Sequence, residues 1–119
     1  MALQRVGLGS ITQVAAGGTF AVLTVGSAKT VYVRSLQIHN LNSSSINNVQ
    51  VHVVPVQGGG TIGTASSITR IARLGISTDD TYFYENAYPI TLNNTNDTIQ
   101  IYNEGSEAVN VLVLGDREG

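Results

Sequence analysis

The chain has 119 residues, of which 42% are hydrophobic, and this is enough for one domain with a single core. Only 12% of the residues are charged, about half of the usual share of roughly a quarter, and the net charge is −2. The six basic residues form no basic stripe, so nucleic acid is not expected as a partner. A surface of low charge can be buried against another protein without stranding many charges, so the composition favours a protein that works in an assembly.

Cysteine is absent, which excludes a disulfide framework, a thiolate nucleophile and a zinc knuckle. The first ten residues contain no basic segment followed by a long apolar one, so no secretory signal is expected. The longest apolar runs have the length of strands, so no membrane-spanning helix and no membrane partner are expected.

Residues 1–18 are rich in glycine and alanine and contain only isolated apolar residues. This composition predicts an extended N-terminal arm, with one short strand near residues 11–15. Residues 19–119 are predicted to form a single β-sandwich domain.

The first strands of this domain are predicted at residues 19–25 and 31–41. In the second of these, the alternation of apolar side chains changes phase along the strand. The change predicts either a bulge near Arg34 and Ser35 or a strand that is covered on both sides. A third strand is predicted at residues 49–55, after a polar, serine-rich loop.

The middle of the chain gives weaker signals. Residues 57–67 (QGGGTIGTASS) predict a loop that is mobile or ordered by a partner, because glycine and serine do not fix the backbone. Residues 68–76 fit either a strand or a helical turn. Residues 81–88 contain three consecutive aromatic side chains and favour a strand.

The last third of the chain has the clearest pattern, with two alternating runs separated by the turn-forming cluster at residues 103–106. The apolar residues that share one face are Ile99, Ile101, Val109, Val111 and Val113. Residues 99–113 therefore predict a β-hairpin with one face in a core. With about eight short strands and no helix, the chain predicts an all-β fold, an antiparallel and jelly-roll-like β-sandwich.

No arrangement of residues predicts catalysis. A Gly-x-Ser-x-Gly elbow is absent, and the Gly58–Gly60 run lacks the lysine that a phosphate-binding loop requires. Glu85 beside Tyr84 is the one faint sign of a glycoside-hydrolase carboxylate, and a solvated edge residue explains it better. We therefore expect no enzyme activity and no cofactor.

Two groups of residues are candidate metal ligands. His39 and His52 would face each other if the strands at 31–41 and 49–55 formed a hairpin, but no third ligand accompanies them. Asp79, Asp80 and residues 93–97 offer oxygen ligands of the kind calcium takes, yet their spacing matches no EF-hand loop. Structural histidines and Asx-rich turns are the better interpretation, so no metal is expected.

Some positions have the character of an interface, since tyrosine and arginine combine contact area with directional hydrogen bonding. Leu112 and Leu114 make the last strand apolar on both of its faces. An interface would explain this pattern, and coverage of the strand by the N-terminal arm or by a second sheet would explain it equally well. The residues predicted to form an interface are Arg5, Leu8, Arg70, Arg73, Tyr82, Tyr84, Leu112 and Leu114.

Residues 31–40 (VYVRSLQIHN), the serine-rich loop, the strand at 49–55, and the segments PITL and NDTI before the closing valine strand resemble small β-sandwich virion proteins of tailed bacteriophages. The resemblance covers residues 31–114 and contains no signature motif. It implies a capsid decoration or cement protein on the capsid exterior of the virion, assembled in the host cytoplasm. Such proteins bridge major capsid subunits, often as homotrimers, and have no catalytic residues to carry over.

Two other functions remain open. The chain could belong to the tail, neck or fibre of the particle, which the pattern does not separate from the capsid. It could also be a receptor-binding or glycan-binding module. In such a module the tyrosines Tyr32, Tyr82, Tyr84 and Tyr102 would stack on sugars, although the aromatic share is only 6% and tryptophan is absent.

Overall fold

The computed structural model describes residues 3–7, as backbone only, and residues 11–119. These residues form nine strands and one short 3₁₀ turn at Gly58–Gly60. The strands are β1 (Leu3–Gly7), β2 (Thr12–Val14), β3 (Thr19–Thr24), β4 (Thr30–Asn40), β5 (Asn47–Val54), β6 (Arg70–Ile76), β7 (Thr81–Leu92), β8 (Thr98–Asn103) and β9 (Val109–Glu118). The predicted all-β fold is confirmed.

The strands form two antiparallel sheets packed face to face. In sheet A the order is β1 and β2, then β9, β4 and β7, whereas sheet B has the order β3, β8, β5 and β6. From β2 onward every connection except the one from β5 to β6 crosses from one sheet to the other. This strand order is that of a jelly roll, which confirms the predicted jelly-roll-like sandwich.

Part of the N-terminal segment belongs to sheet A. Both β1 and β2 pair with β9, β1 along residues 114–118 and β2 along residues 109–111, so together they form one interrupted edge strand. The short strand expected near residues 11–15 is confirmed as β2. Val14 of β2 is 1% exposed and belongs to the core, so this part of the predicted arm helps to close the sandwich.

The predicted hairpin of residues 99–113 is wrong, because its two strands lie in opposite sheets. Strand β8 is in sheet B and β9 in sheet A, so the valines and isoleucines of residues 99–113 face each other across the core instead of side by side. Strands β4 and β5 are separated in the same way. His39 and His52 consequently lie on the outer faces of different sheets.

The bulge predicted near Arg34 is confirmed. The register of β4 with both neighbouring strands shifts between Val33 and Ser35. On the side of β7, residues 86–89 lie opposite Arg34 alone, so β7 bulges at this point. Asn86 stabilises the bulge by donating from Nδ2 to the carbonyls of Val33 and Arg34, both at 3.4 Å. The bulge restores the inward direction of the later apolar residues of β4, which explains the change of phase in the sequence.

The core is formed by the inward faces of both sheets and consists mainly of valine, leucine and isoleucine. Alternation on each strand brings every second residue inward, and β-branched side chains pack well on such a pleated surface. The fully buried members with the largest side chains are Leu36, Ile38, Ile76, Ile99, Ile101, Val33, Val49, Val51 and Val109.

Four asparagines are buried at one end of the sandwich, where the connections at residues 15–18, 41–46, 77–80 and 104–108 meet. They are Asn40, Asn42, Asn47 and Asn103, and none is more than 2% exposed. Since a buried amide is costly without hydrogen bonds, each of them is expected to have partners, and each does.

Asn40 and Asn42 tie the connection after β4 to its neighbours. The Asn40 Nδ2 donates to the carbonyls of Ile76 at 3.0 Å and Ser77 at 3.1 Å. The Asn40 Oδ1 accepts from the backbone N–H of Asn42 at 2.9 Å, and the Asn42 Nδ2 lies 3.3 Å from the Asn47 Oδ1. The end of sheet A is thereby joined to the connection between β6 and β7.

Asn47 and Asn103 complete this network at the connection between β8 and β9. Both donate from Nδ2 to the Glu107 carbonyl, at 2.8 and 2.7 Å, and Asn103 also donates to the Val14 carbonyl at 3.2 Å. The Asn103 Oδ1 accepts from the Gly105 N–H at 2.9 Å. A Cβ at Gly105 would lie 2.2 Å from Asn47, so only glycine fits beside the network.

Replacing Asn103 with alanine should destabilise the fold by about 2–3 kcal/mol, because three hydrogen bonds of about 1 kcal/mol each are lost. Chemical denaturation followed by circular dichroism measures this free energy of unfolding. Asn93→Ala is the matched control, since Asn93 is exposed, and it should change stability by less than about 0.5 kcal/mol. Equal stability of the two variants would contradict the assigned role of the network.

Candidate functional site

The outer face of sheet A has apolar side chains at its centre and at its edges. Leu112 and Leu114 lie half-buried on β9 at its centre. Gln37 of β4 pairs with Leu112 on one side and with Phe83 of β7 on the other, so the three side chains form a row. Phe83 is 61% exposed, and Ile11, just before β2, is 65% exposed.

A depression of about 250 Å³ lies on this face. Its lining includes Ile11, Gln37, His39, Thr81, Asn110 and Leu112. The Nδ1 of His39 lies 2.9 Å from the Thr81 hydroxyl, so the imidazole has a partner within the face. Because no aspartate, glutamate, lysine or arginine among the described residues lines the depression, a protein partner could cover it at a low cost of desolvation.

The predicted tyrosines lie at the edge of the same sheet. Tyr82 and Tyr84 pair with inward residues of β4, and Tyr84 packs against the core, whereas Tyr82 is 39% exposed. Phe83 points the other way, onto the outer face. The alternation in residues 81–88 indicates that Phe83 points away from Tyr82 and Tyr84. No pattern in the sequence indicates the outer-face position of Ile11, which lies in a glycine- and alanine-rich segment.

The predicted basic residues are divided between the two sheets. Arg70 and Arg73 belong to β6, the edge strand of sheet B, so the structure does not bring them together with Leu112 and Leu114. Arg5 falls in β1, where its Cα is paired with that of Asp116. Leu8, also predicted for the interface, lies outside the described residues.

The outer face of sheet B contains a hydrogen-bonded row of polar side chains. Arg73 makes a two-pronged ion pair with Glu104, with N–O distances of 2.8 and 2.9 Å. Gln50 donates to the Glu104 Oε2 at 2.9 Å, and its Oε1 lies 3.0 Å from the His52 Nε2. The Nδ1 of His52 lies 2.9 Å from the Thr69 hydroxyl. The row therefore links the edge strand to the centre of the sheet.

His52 is held as a neutral imidazole in this row. It is 2% exposed, and burial lowers its pKa below the ordinary value of 6.5, with the positive charge of Arg70 lowering it further. Because the Gln50 amide nitrogen donates to Glu104, its oxygen is left to accept from the Nε2–H of His52. Both ring nitrogens are thus occupied by protein groups, and His52 fixes the shape of the surface above it.

Glu104 is the most strongly perturbed group in the row. Its hydrogen bonds from Arg73, followed by the one from Gln50, lower its pKa from the ordinary 4.5 to about 2. The carboxylate is therefore ionised throughout the physiological range, and its charge is balanced by Arg73. By contrast, Arg70 has no ion-pair partner among the residues that the structure describes.

The connection between β5 and β6, residues 55–69, covers part of sheet B. The Gln100 Nε2 donates to the Gly63 carbonyl at 3.0 Å, and the Asn96 Nδ2 donates to the Gly60 carbonyl at 2.7 Å. Val54, which points outward, is only 2% exposed because Gly63 lies directly over it. A Cβ at Gly63 would come within 2.8 Å of Val54, so the close approach requires glycine.

Two depressions flank this covering segment. The first, of about 290 Å³, is lined among others by Thr19, Gln50, His52, Ser66, Arg70 and Tyr102. The second, of about 340 Å³, is lined among others by Thr19, Ala21, Ile62, Gly63, Ala65 and Gln100. Thr19 and Ala65 line both, so the two depressions adjoin each other, and we call them together the sheet B groove.

The acidic turns considered for calcium have other roles in the fold. The Asp97 carboxylate accepts backbone N–H groups of Val56 at 2.9 Å and Asn94 at 3.1 Å, which ties together two connections. Asp80 accepts from the N–H of Thr81 at 2.8 Å. In the described part of the chain, no three histidine, aspartate or glutamate side chains come together as a metal-binding group.

No protein family matches this chain, and no curated protein matches it. Within residues 3–7 and 11–119, no helix has the length and apolar character needed to cross a membrane.

The stabilising contribution of Glu104 should depend on pH. Because the folded pKa of about 2 is below the ordinary 4.5, the contribution is complete above pH 4.5 and is lost as the pH falls towards 2. Glu104→Gln should lower Tm at neutral pH by a few degrees and lower it much less at pH 2, where about half of the folded carboxylates are protonated. Glu107→Gln, which removes an exposed carboxylate from the same connection, should leave Tm unchanged at both pH values. Thermal melts would contradict the assignment if the two variants behaved alike.

Proposed function

We propose that this chain is a structural protein of a bacteriophage virion, a decoration or cement protein that binds the capsid exterior and bridges major capsid subunits. The jelly roll supports this proposal, since the architecture is used in viral capsid proteins. The resemblance of residues 31–114 to small virion proteins supports it as well. Because the same fold hosts other functions, the surface of the sandwich must distinguish among them.

The outer face of sheet A is the observation that carries the proposal. Its central strand presents Leu112 and Leu114, and exposed Phe83 and Ile11 flank them. In the part of the chain that the structure describes, no charged side chain lines the depression beside Ile11 and Leu112. A partner that covers this part of the face gains from the burial of apolar surface and buries no charged group of the depression's described lining, which favours a permanent contact in an assembly.

The mechanism is passive. A preformed jelly roll that binds the assembled shell, and not its separate subunits, stabilises the shell by the free energy of that binding. The proposal includes a homotrimer, with one sheet A face of each copy directed to a capsid subunit. Native mass spectrometry of the purified protein would count the chains in each particle.

Leu112→Glu should abolish binding to shells, because a carboxylate buried without a partner costs several kcal/mol. The experiment adds purified protein to phage particles that lack it and measures occupancy by cryo-electron microscopy. Ile68→Glu is the matched control, because Ile68 is 92% exposed on the sheet B side, and it should bind like the wild type. Circular dichroism confirms that both variants are folded, and Phe83→Ser provides a second, milder change of the same face.

Each other outcome has a clear meaning. If Leu112→Glu and Phe83→Ser occupy the shell like the wild type, sheet A is not the contact surface. If the protein is found on tails or fibres of the particle, the capsid assignment is wrong and the tail, neck or fibre alternative replaces it. If purified particles lack the protein altogether, the virion proposal is overturned.

A further inference from the structure

The sheet B groove is built from groups that a sugar would bind. Its first part is lined by the hydroxyl side chains of Thr19, Ser66 and Tyr102 and by the amide of Gln50. Such groups both donate and accept hydrogen bonds, as do sugar hydroxyls, and the Tyr102 ring adds an apolar surface for the C–H groups of a sugar. The ligand chemistry indicated by the lining is therefore neutral, polar and partly apolar.

One positive charge is available in this groove. Arg73 is neutralised by Glu104, but Arg70, which lines the first part, has no ion-pair partner in the described ranges. Guanidinium groups recognise carboxylates through paired hydrogen bonds. A ligand that carries one carboxylate beside its hydroxyl groups would match this lining.

The floor of the groove is fixed before any ligand arrives. His52 is buried and has both ring nitrogens engaged, by Gln50 and by Thr69. Thr69 also accepts from the backbone N–H of Ser66 at 2.9 Å, so the covering segment is held to the same row. Because these groups are already held in place, they lose little conformational freedom when a ligand binds. The entropic cost of binding is therefore small, which matters most for a ligand that binds weakly.

The shape of the groove suggests more than one sugar unit. Its two parts are about 290 and 340 Å³ and share Thr19 and Ala65, so the groove continues past the first part towards Ile62 and Gly63. Each part alone is near the lower end of the range of roughly 300–1,000 Å³ for ligand sites. An extended chain passing through both would be in contact with β3 and the covering segment.

We propose that the sheet B groove binds an acidic polysaccharide, with Arg70 binding the carboxylate of a uronic acid unit and Tyr102 contacting its ring. The groove lies on the sheet opposite the face proposed for shell binding. A protein attached through sheet A would thus keep this site open to the surroundings. The two proposals are independent, since one concerns sheet A and the other sheet B.

The test is a titration of the ¹⁵N-labelled protein with D-glucuronate, with D-glucose and acetate as reference compounds. Glucuronate should shift the backbone amide signals of His52, Ser66 and Tyr102 with millimolar affinity, and glucose should shift them less. Arg70→Gln should weaken glucuronate binding about tenfold or more, and Arg70→Lys should weaken it less, because the charge is retained. Lys29→Gln removes one positive charge outside the groove and should leave the affinity unchanged.

Three results would overturn the proposal. The first is the absence of any shift with glucuronate at these amides. The second is an Arg70→Gln variant that binds glucuronate as well as the wild type does. The third is equal affinity for acetate and glucuronate, which would show a contact with the carboxylate alone and no sugar site. The readout does not involve the phage particle, so failure here leaves the sheet A proposal untouched.

Discussion

The hydrogen-bond network of the four buried asparagines is the constraint on which the rest of the sandwich depends. In a jelly roll most connections cross between sheets, so few strands are aligned by a short hairpin. Asn40, Asn42, Asn47 and Asn103 supply that alignment by joining connections that are far apart in sequence. Amides do this without introducing charge into the interior, which accords with a chain that is only 12% charged.

The two outer faces differ because only one of them is covered by the chain itself. Sheet A leaves Leu112 and Phe83 accessible, and no charged side chain of the described residues lines the depression beside Leu112. Sheet B is partly covered by residues 55–69, and the exposed remainder is a polar row ending in an ion pair. One small domain thus presents a surface suited to permanent burial and, on its other side, a surface suited to contact with water or a soluble ligand.

The sequence predicted which side chains of each strand face the core better than it predicted which strands pair with each other. Alternation correctly placed Ile99, Ile101 and the valines of β9 in the core, and the change of phase at Arg34 correctly indicated a bulge. Alternation gives no information about which strand lies alongside, so β8 and β9 were wrongly paired. The burial of His52 depends on a covering segment more than ten residues away, and the free charge of Arg70 depends on the pairing of Arg73 with Glu104. Neither contact is indicated by the sequence around the residue concerned.

The position of β9 in sheet A has a consequence for how the chain acquires its structure. This strand follows all the others in chain order, yet it lies between β4 on one side and β1 and β2 on the other. On the ribosome, sheet A therefore remains divided until β9 has emerged, while β3, β5, β6 and β8 can already associate. Pairings between such distant segments form slowly, so the nascent chain would expose valine-rich edges during synthesis and depend on chaperones at that stage.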